Sequence, residues 1–291
     1  MMTRQPDLFV DTARGRFAAL AAGPADGPVV LCLHGFPDTP GTFDGLLAAL
    51  AAAGFRAVAP WLRGYSPSPL EGEFGMAALA ADLLALGEAL GASRVVGHDW
   101  GALAVYAALA QAPSRLSAVV TLAVPHPRAV RRNLLRSPAQ LLRSRYILLF
   151  QLPGAQGWLQ RRDFAYVDAL WRRWSPALVP APEHLREVKA TLAASGSAPL
   201  AHYRAIFGGL LGEPAAGAAP TPPLLYLAGA ADGCIGVELA ADQAGLLGGP
   251  YKERIFAGAG HFLHLERPDE VAAEIIAWFR GETPPPGGRS G

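Results

Sequence analysis

The sequence predicts an α/β protein with a mainly parallel, doubly wound sheet that is interrupted once by a helical insertion. Short apolar runs alternate with helix-like segments over residues 1–127 and again after residue 219. Several of these runs are continuous rather than alternating, as expected for strands that are buried on both faces. Between the two parts, the alternation gives way to a helical stretch rich in proline and tryptophan. This order of elements predicts a wound sheet with one inserted unit.

The first part of the predicted core covers residues 1–127. It opens with a hairpin whose strands lie near residues 8–10 and 17–20. Four more strands and three helices follow in alternation, the strands at residues 29–33, 55–60, 94–97 and 116–124 and the helices at residues 41–53, 76–90 and 102–112. In such a sheet, active groups are expected in the loops at the carboxyl ends of the strands.

The helical insertion is predicted to form a cap over residues 128–218. The second part of the core, residues 219–282, resumes the alternation with strands at residues 224–228 and 252–256 and helices at residues 237–247 and 268–280. The proline- and glycine-rich end, residues 283–291, is expected to be a disordered tail.

Composition limits the classes of function. The chain has 291 residues, a formal net charge of +1 and 51% hydrophobic residues, so no long-range field favours a nucleic-acid partner. A net charge this close to zero fits a small neutral substrate better than a nucleic acid.

The only two cysteines, Cys32 and Cys234, show no paired spacing, which favours a reducing, cytoplasmic setting. The start of the chain lacks a signal-peptide pattern, and charges or prolines interrupt every apolar run before membrane-spanning length. The sequence allows a homodimer but does not decide the oligomeric state.

The central motif of the sequence is Gly97-His98-Asp99-Trp100-Gly101, between an apolar strand and an apolar helix. A serine hydrolase would read G-x-S-x-G here, and the glycines would permit a sharp turn that lifts the central side chain above the sheet. Because a carboxylate is already an anion at neutral pH, it can attack without a base. We therefore predict that Asp99 is a nucleophile.

An ester formed on Asp99 must be hydrolysed, which requires a base and an acid that orients it. In this fold the acid and the histidine follow the nucleophile in that order. No Asp or Glu occurs between Trp100 and Arg162. The next candidate at a strand end is Asp232, ahead of Glu238 and Asp242 on the following predicted helix. His261 follows the next strand in a glycine-flanked loop and is preferred over His264.

Ester hydrolysis also places negative charge on the Asp99 side chain, where two fixed N–H donors are expected. The backbone N–H of Trp100 begins the helix after the nucleophile. The N–H of Phe36 lies in His34-Gly35-Phe36-Pro37 at the end of another predicted strand. That segment taken alone could equally be a simple tight turn, but both turns fall at the same edge of the predicted sheet.

Together these motifs resemble the α/β-hydrolase-fold epoxide hydrolases. The likeness covers nearly the whole chain and rests on Gly97-His98-Asp99-Trp100-Gly101, His34-Gly35-Phe36-Pro37-Asp38, Val124-Pro125-His126-Pro127, Gly260-His261 and Glu266-Arg267-Pro268. The resemblance extends to cap residues 146–154 and 202–204, and it implies that Tyr146 and Tyr203 are the phenols that assist ring opening. It also implies a vicinal diol as product and no cofactor or metal. Ala102 and His202 depart from residues frequent in these enzymes.

The sequence also allows two other functions. Haloalkane dehalogenases are similar in fold and in the Asp-Trp pair, but they need a second halide donor, for which Trp158, Trp171 and Trp174 are candidates. A binding protein without turnover could also keep the pocket. The complete set of expected reacting groups argues against it. Serine esterase activity is disfavoured because the elbow lacks a serine.

Six arginines and no acidic residue occur in residues 128–145: Arg128, Arg131, Arg132, Arg136, Arg143 and Arg145. Composition favours a solvated helical face. The alternative is a surface for a partner or for an anionic membrane.

Overall fold

The computed structural model describes residues 4–209 and 221–282, with side chains up to residue 206 in the first range. Its centre is one sheet of eight strands in the order β1-β2-β4-β3-β5-β6-β7-β8. The strands are β1 Leu8–Thr12, β2 Gly15–Ala22, β3 Val29–Leu33, β4 Arg56–Pro60, β5 Arg94–His98, β6 Ala118–Leu122, β7 Leu224–Gly229 and β8 Tyr251–Phe256. β2 pairs antiparallel with β1 and β4, and every other pair is parallel. The prediction of a mainly parallel sheet is confirmed.

Twelve α-helices are found in the described residues. They are α1 Asp44–Ala52, α2 Met76–Leu90, α3 Trp100–Gln111, α4 Pro127–Leu134, α5 Pro138–Arg143, α6 Arg145–Leu149, α7 Ala155–Leu159, α8 Arg161–Trp174, α9 Pro182–Ser195, α10 Ala198–Gly209, α11 Leu263–Glu266 and α12 Pro268–Arg280. Helix α2 ends where predicted, with Gly91 in the left-handed conformation. Within the described part of the chain, no helix combines the length and apolarity needed to cross a membrane.

Two predicted helices differ in the structure. The segment at residues 41–53 begins with a 3-10 turn, Pro40–Phe43, before α1. The prediction of a helix at residues 237–247 is wrong, because the chain forms two 3-10 turns there, Val237–Ala240 and Gln243–Leu246. Asp242 separates these turns with φ +61°, which a continuous α-helix does not allow.

The described residues of the insertion between β6 and β7 form seven helices, α4 to α10. It is attached to the loop after β3 by polar contacts that are buried or partly buried. The indole N–H of Trp171 donates to the Pro37 carbonyl at 3.0 Å, and His184 contacts Asp38 at 2.7 Å. The limits of the cap, predicted at residues 128 and 218, stay a prediction, and the predicted tail at residues 283–291 lies outside the described residues. These contacts hold the helical insertion over the carboxyl edge of the sheet.

Candidate active site

Asp99 occupies a strained turn between β5 and α3. Its φ of 53° and ψ of −114° lie in a region that non-glycine residues rarely adopt. Nearby backbone leaves no room for a side chain at the two glycines of the turn. A Cβ on Gly97 would collide with the backbone of Gly101, and a Cβ on Gly101 would collide with the Leu33 carbonyl. The glycines of the motif are therefore required by close backbone approach, and the turn presents the Asp99 carboxylate at the sheet edge.

One of the two predicted oxyanion donors contacts this carboxylate directly. The backbone N–H of Phe36 donates to Asp99 Oδ1 at 2.8 Å. Gly35 lies so close that a Cβ would collide with the same carboxylate. In the described structure, the backbone N–H of Trp100 does not donate a hydrogen bond to the Asp99 side chain. Its part in an oxyanion hole therefore stays a prediction, whereas the Phe36 amide already faces the oxygen.

The predicted base and acid meet at the same edge of the sheet. His261 Nδ1 lies 2.8 Å from Asp232 Oδ2, and His261 Nε2 lies 3.6 Å from Asp99 Oδ2. The second oxygen of Asp232 accepts hydrogen bonds from the N–H groups of Cys234 at 2.6 Å and Ile235 at 2.9 Å. The loop after β7 thus fixes the acid, and the acid fixes the ring of His261.

Charges in the site favour an ion pair at rest. Burial alone would lower the pKa of His261, but the carboxylates of Asp232 and Asp99 outweigh it and raise this pKa to about 10. Burial would raise the pKa of Asp99, yet the hydrogen bond and charge of His261, with the Phe36 N–H, hold it below its usual value. The resting site therefore contains an anionic Asp99 and a protonated His261.

The two tyrosines implied by the family resemblance lie together above the nucleophile. The rings of Tyr146 and Tyr203 are 5.7 Å apart, and Tyr203 packs edge-on against Phe36 and Trp100. Burial, followed by charges that include Asp99, raises the pKa of both phenols well above the ordinary value. Both therefore keep their protons and can donate. The Tyr203 hydroxyl is buried beside Trp100.

Sequence reasoning missed two residues that shape this site. The Sγ atom of Cys234 lies 3.6 Å from the Tyr146 hydroxyl. The buried amide of Gln140 donates to the Cys234 carbonyl at 2.8 Å and accepts from the Gly236 N–H at 2.9 Å. The Gln140 side chain, which belongs to the cap, is thus hydrogen-bonded at two points to the loop that carries Asp232. Only the position of Cys234 two residues after Asp232 could have drawn attention to it.

His202 and His126 lie outside the set of reacting groups and have structural partners. Its Nε2 donates to the Arg63 carbonyl at 2.8 Å, and its Nδ1 accepts from the Gly75 N–H at 3.2 Å. His126 caps α4 by accepting from the Arg128 N–H at 3.1 Å. Both histidines therefore have local hydrogen-bonding roles.

A buried cluster behind the site could hold a metal ion by residue type. Ligand atoms of Asp38, His98 and His264 lie within 4.8 Å of one another, although the three residues are far apart in sequence. Asp38 is already paired with His184 at 2.7 Å, and the His98 ring lies 4.8 Å from the ring of His261. Since His261 is protonated at rest, a divalent cation here would be repelled. The cluster therefore fits a hydrogen-bonding role better than a metal site.

Known proteins share both the sequence and the fold. A model of the α/β-hydrolase fold family matches residues 28–268. Epoxide hydrolase A of Mycobacterium tuberculosis (strain H37Rv) is 33% identical over 319 residues, which cover 94% of this chain and 97% of that protein. The crystal structure of epoxide hydrolase A from Mycobacterium thermoresistibile has a TM-score of 0.79 at 31% identity and covers 96% of this chain and 99% of its own.

A more distant structure shows the fold alone. Epoxide hydrolase from Bacillus megaterium, crystallised with an inhibitor, has a TM-score of 0.83 at 22% identity, covering 94% of this chain and 100% of its own. The family model, the relatives and the solved structures agree on the α/β-hydrolase fold. The chain belongs to the α/β-hydrolase fold family, in the branch that contains the epoxide hydrolases.

Proposed function

We propose that this protein hydrolyses a small apolar epoxide to a vicinal diol through a covalent ester on Asp99. The observation that carries the proposal is the position of a carboxylate, rather than a serine, at the nucleophile elbow, 3.6 Å from His261. The names of the related proteins support the same activity. Small apolar epoxide and water are the only reactants, and the residues act without a cofactor.

In the first half of the reaction, Asp99 Oδ2 attacks an oxirane carbon and the C–O bond of the ring breaks. Tyr146 and Tyr203 donate hydrogen bonds to the oxygen, which develops negative charge. The high pKa of both phenols keeps these donors protonated. The alkoxide then takes up a proton. Over this half of the reaction, the protein gives up the proton of the His261 imidazolium. The products are a neutral ester and a neutral imidazole.

In the second half, water attacks the ester carbon of Asp99 and neutral His261 accepts its proton. Asp232 holds the ring at 2.8 Å and stabilises the imidazolium that forms. Negative charge develops on Oδ1, which the Phe36 N–H already faces at 2.8 Å. Collapse of the tetrahedral intermediate releases the diol and restores the pair of anionic Asp99 and protonated His261. Each turnover therefore begins and ends in the same charge state.

Halide displacement is the second candidate because one cap tryptophan has an unused donor. The Trp174 indole nitrogen is buried without a hydrogen-bond partner in the described part of the chain, and its ring lies 5.1 Å from His261. Trp171 is committed to the Pro37 carbonyl at 3.0 Å. The paired phenols favour the epoxide, since a departing halide does not need a proton.

The proposal is tested by measuring diol formation from terminal, disubstituted and aryl epoxides, with chloro- and bromoalkanes of matched size as controls. Diol release from at least one epoxide class, without halide release, is expected. Halide release without diol formation would contradict the proposal. A binding protein without turnover would show neither product. Light scattering of the same preparation determines whether the enzyme is a homodimer.

We also propose a cytoplasmic location. Both thiols are free and buried, which suits a reducing compartment. Fractionation of cells that express the full chain tests this proposal.

A further inference from the structure

The exposed side of α4 to α6 is unusually apolar. Among the described residues, five of the nine exposed large hydrophobic side chains fall between residues 135 and 152. They are Leu135 at 85%, Leu141 at 49%, Leu142 at 67%, Leu148 at 63% and Leu152 at 54%. With the exposed side chains of Arg132, Arg136 and Arg145, they form what we call the basic-apolar face. A purely solvated helical face does not require such leucines.

Helical spacing places part of this face on one side of a continuous segment. Ser144, between α5 and α6, keeps near-helical angles of φ −81° and ψ −1°. Leu141, Arg145 and Leu148 therefore follow one another at intervals of four and three residues, which align on one side of a helix, and Leu152 lies just past the end of α6. Tyr146 lies on the buried side of the same segment. The basic-apolar face is thus the outer side of the segment that supplies one of the phenols.

The charge on this face is positive and largely uncompensated. Arg132, Arg136 and Arg145 make no ion pair with any residue in the described ranges. Arg143 differs, because its guanidinium contacts Glu238 at 3.3 Å. A second copy of the chain docked symmetrically here would bring arginines of both copies together. A partner that complements the face must combine negative charge with an apolar interior.

We propose that the basic-apolar face binds the surface of a membrane that contains anionic phospholipids. The arginine guanidinium groups bind lipid phosphates, and the leucines enter the boundary between headgroups and acyl chains. Apolar epoxides dissolve in that layer, so the bound enzyme would take its substrate from the bilayer. This consequence for substrate supply rests on the proposed function, whereas lipid binding does not depend on it.

The test is co-sedimentation of the full chain with phosphatidylcholine vesicles, either pure or with about a third phosphatidylglycerol. Binding is expected only to the anionic vesicles and should weaken as salt rises. Replacing Arg132, Arg136 and Arg145 by glutamine should weaken binding roughly 100-fold, from about a fivefold loss for each charge. The variant Leu135→Ser/Leu142→Ser/Leu148→Ser should weaken it at least about tenfold, because these side chains no longer enter the apolar layer.

Matched controls lie elsewhere on the surface. Val179 is 91% exposed, and Arg186 is exposed beside Glu183, so Val179→Ser and Arg186→Gln should bind vesicles like the wild type. Wild-type protein that does not bind anionic vesicles at low salt would overturn the proposal, as would unchanged binding by both triple variants. A concentration-dependent dimer that the leucine variant abolishes would instead assign the face to a second copy. Hydrolysis of a water-soluble epoxide should be unchanged in all variants, which separates this test from that of the proposed function.

Discussion

The pH at which the ester on Asp99 accumulates should report the charge of His261. At rest, burial lowers the pKa of His261, but two nearby carboxylates raise it to about 10. Formation of the ester makes Asp99 neutral, while Asp232 is not altered by the reaction. His261 therefore loses one of its two stabilising charges at the moment when it must become a base.

The size of this change follows from the geometry. His261 Nε2 and Asp99 Oδ2 are 3.6 Å apart. At an effective dielectric constant of about 20, two unit charges at that separation interact by roughly 5 kcal/mol, equivalent to about three pKa units. Loss of this interaction should lower the pKa of His261 in the ester form from the resting value of about 10 toward the ordinary range of a histidine. Because ester formation depends on anionic Asp99, whose pKa is lowered, it should continue at acidic pH.

Rapid acid quenching during turnover, followed by intact mass spectrometry, measures the fraction of ester. Below about pH 7, each pH unit should slow ester hydrolysis about tenfold, because protonated His261 cannot accept the proton of water. The ester should therefore accumulate at about pH 5 and be scarce at about pH 9. Equal fractions at both values, or accumulation only at the higher one, would refute the reasoning about the charge of His261.

Three further changes have expected outcomes. Tyr146→Phe or Tyr203→Phe should slow ester formation roughly 10- to 100-fold in single-turnover fluorescence, and the double variant roughly 100- to 10,000-fold, because the alkoxide loses its donors. Gly35→Ala should lower kcat at least about 100-fold in a folded protein, since the new methyl group displaces the nucleophile carboxylate. Asp82→Ala should lower the free energy of unfolding in urea by about 3 to 5 kcal/mol, because it leaves the Arg63 guanidinium, bound to Asp82 at 2.7 Å through Nε and Nη2, buried without its carboxylate.

Controls separate these effects from general disruption. Asp11 and Arg16 form an exposed pair at 3.7 Å, so Asp11→Ala should change stability by less than about 1 kcal/mol. Equal losses for Asp11→Ala and Asp82→Ala would contradict the role of burial. Wild-type rates in the double tyrosine variant would remove both phenols from the mechanism. Full activity of Gly35→Ala would mean that the nucleophile tolerates displacement.

Local patterns in the sequence were sufficient for the sheet and for the order of the reacting groups. Continuous apolar runs identified the buried parallel strands, and parallel strands end at one edge of a sheet. Asp99, Asp232 and His261 follow three of these strands, and the structure brings them together as predicted. The roles of these residues in chemistry stay predictions.

Features set by distant contacts could not be predicted in the same way. The helix expected at residues 237–247 is replaced by turns in which the Gln243 amide binds the His126 N–H at 3.0 Å and the Tyr251 hydroxyl at 2.8 Å. Its apolar periodicity gave no sign of these partners. The contact of Cys234 with Tyr146 joins residues 88 positions apart in the chain. No spacing rule connects such positions, because the fold alone brings them together.

In the proposed mechanism, Asp99 carries the covalent intermediate. The most direct measurement is intact mass and peptide mapping of His261→Gln after incubation with an epoxide. This variant keeps the nucleophile but lacks the base, so the ester should persist. We expect a mass increase equal to one epoxide molecule on the peptide that contains Asp99. An adduct on another residue such as Cys234, or no adduct with an epoxide that the wild type converts to diol, would contradict it.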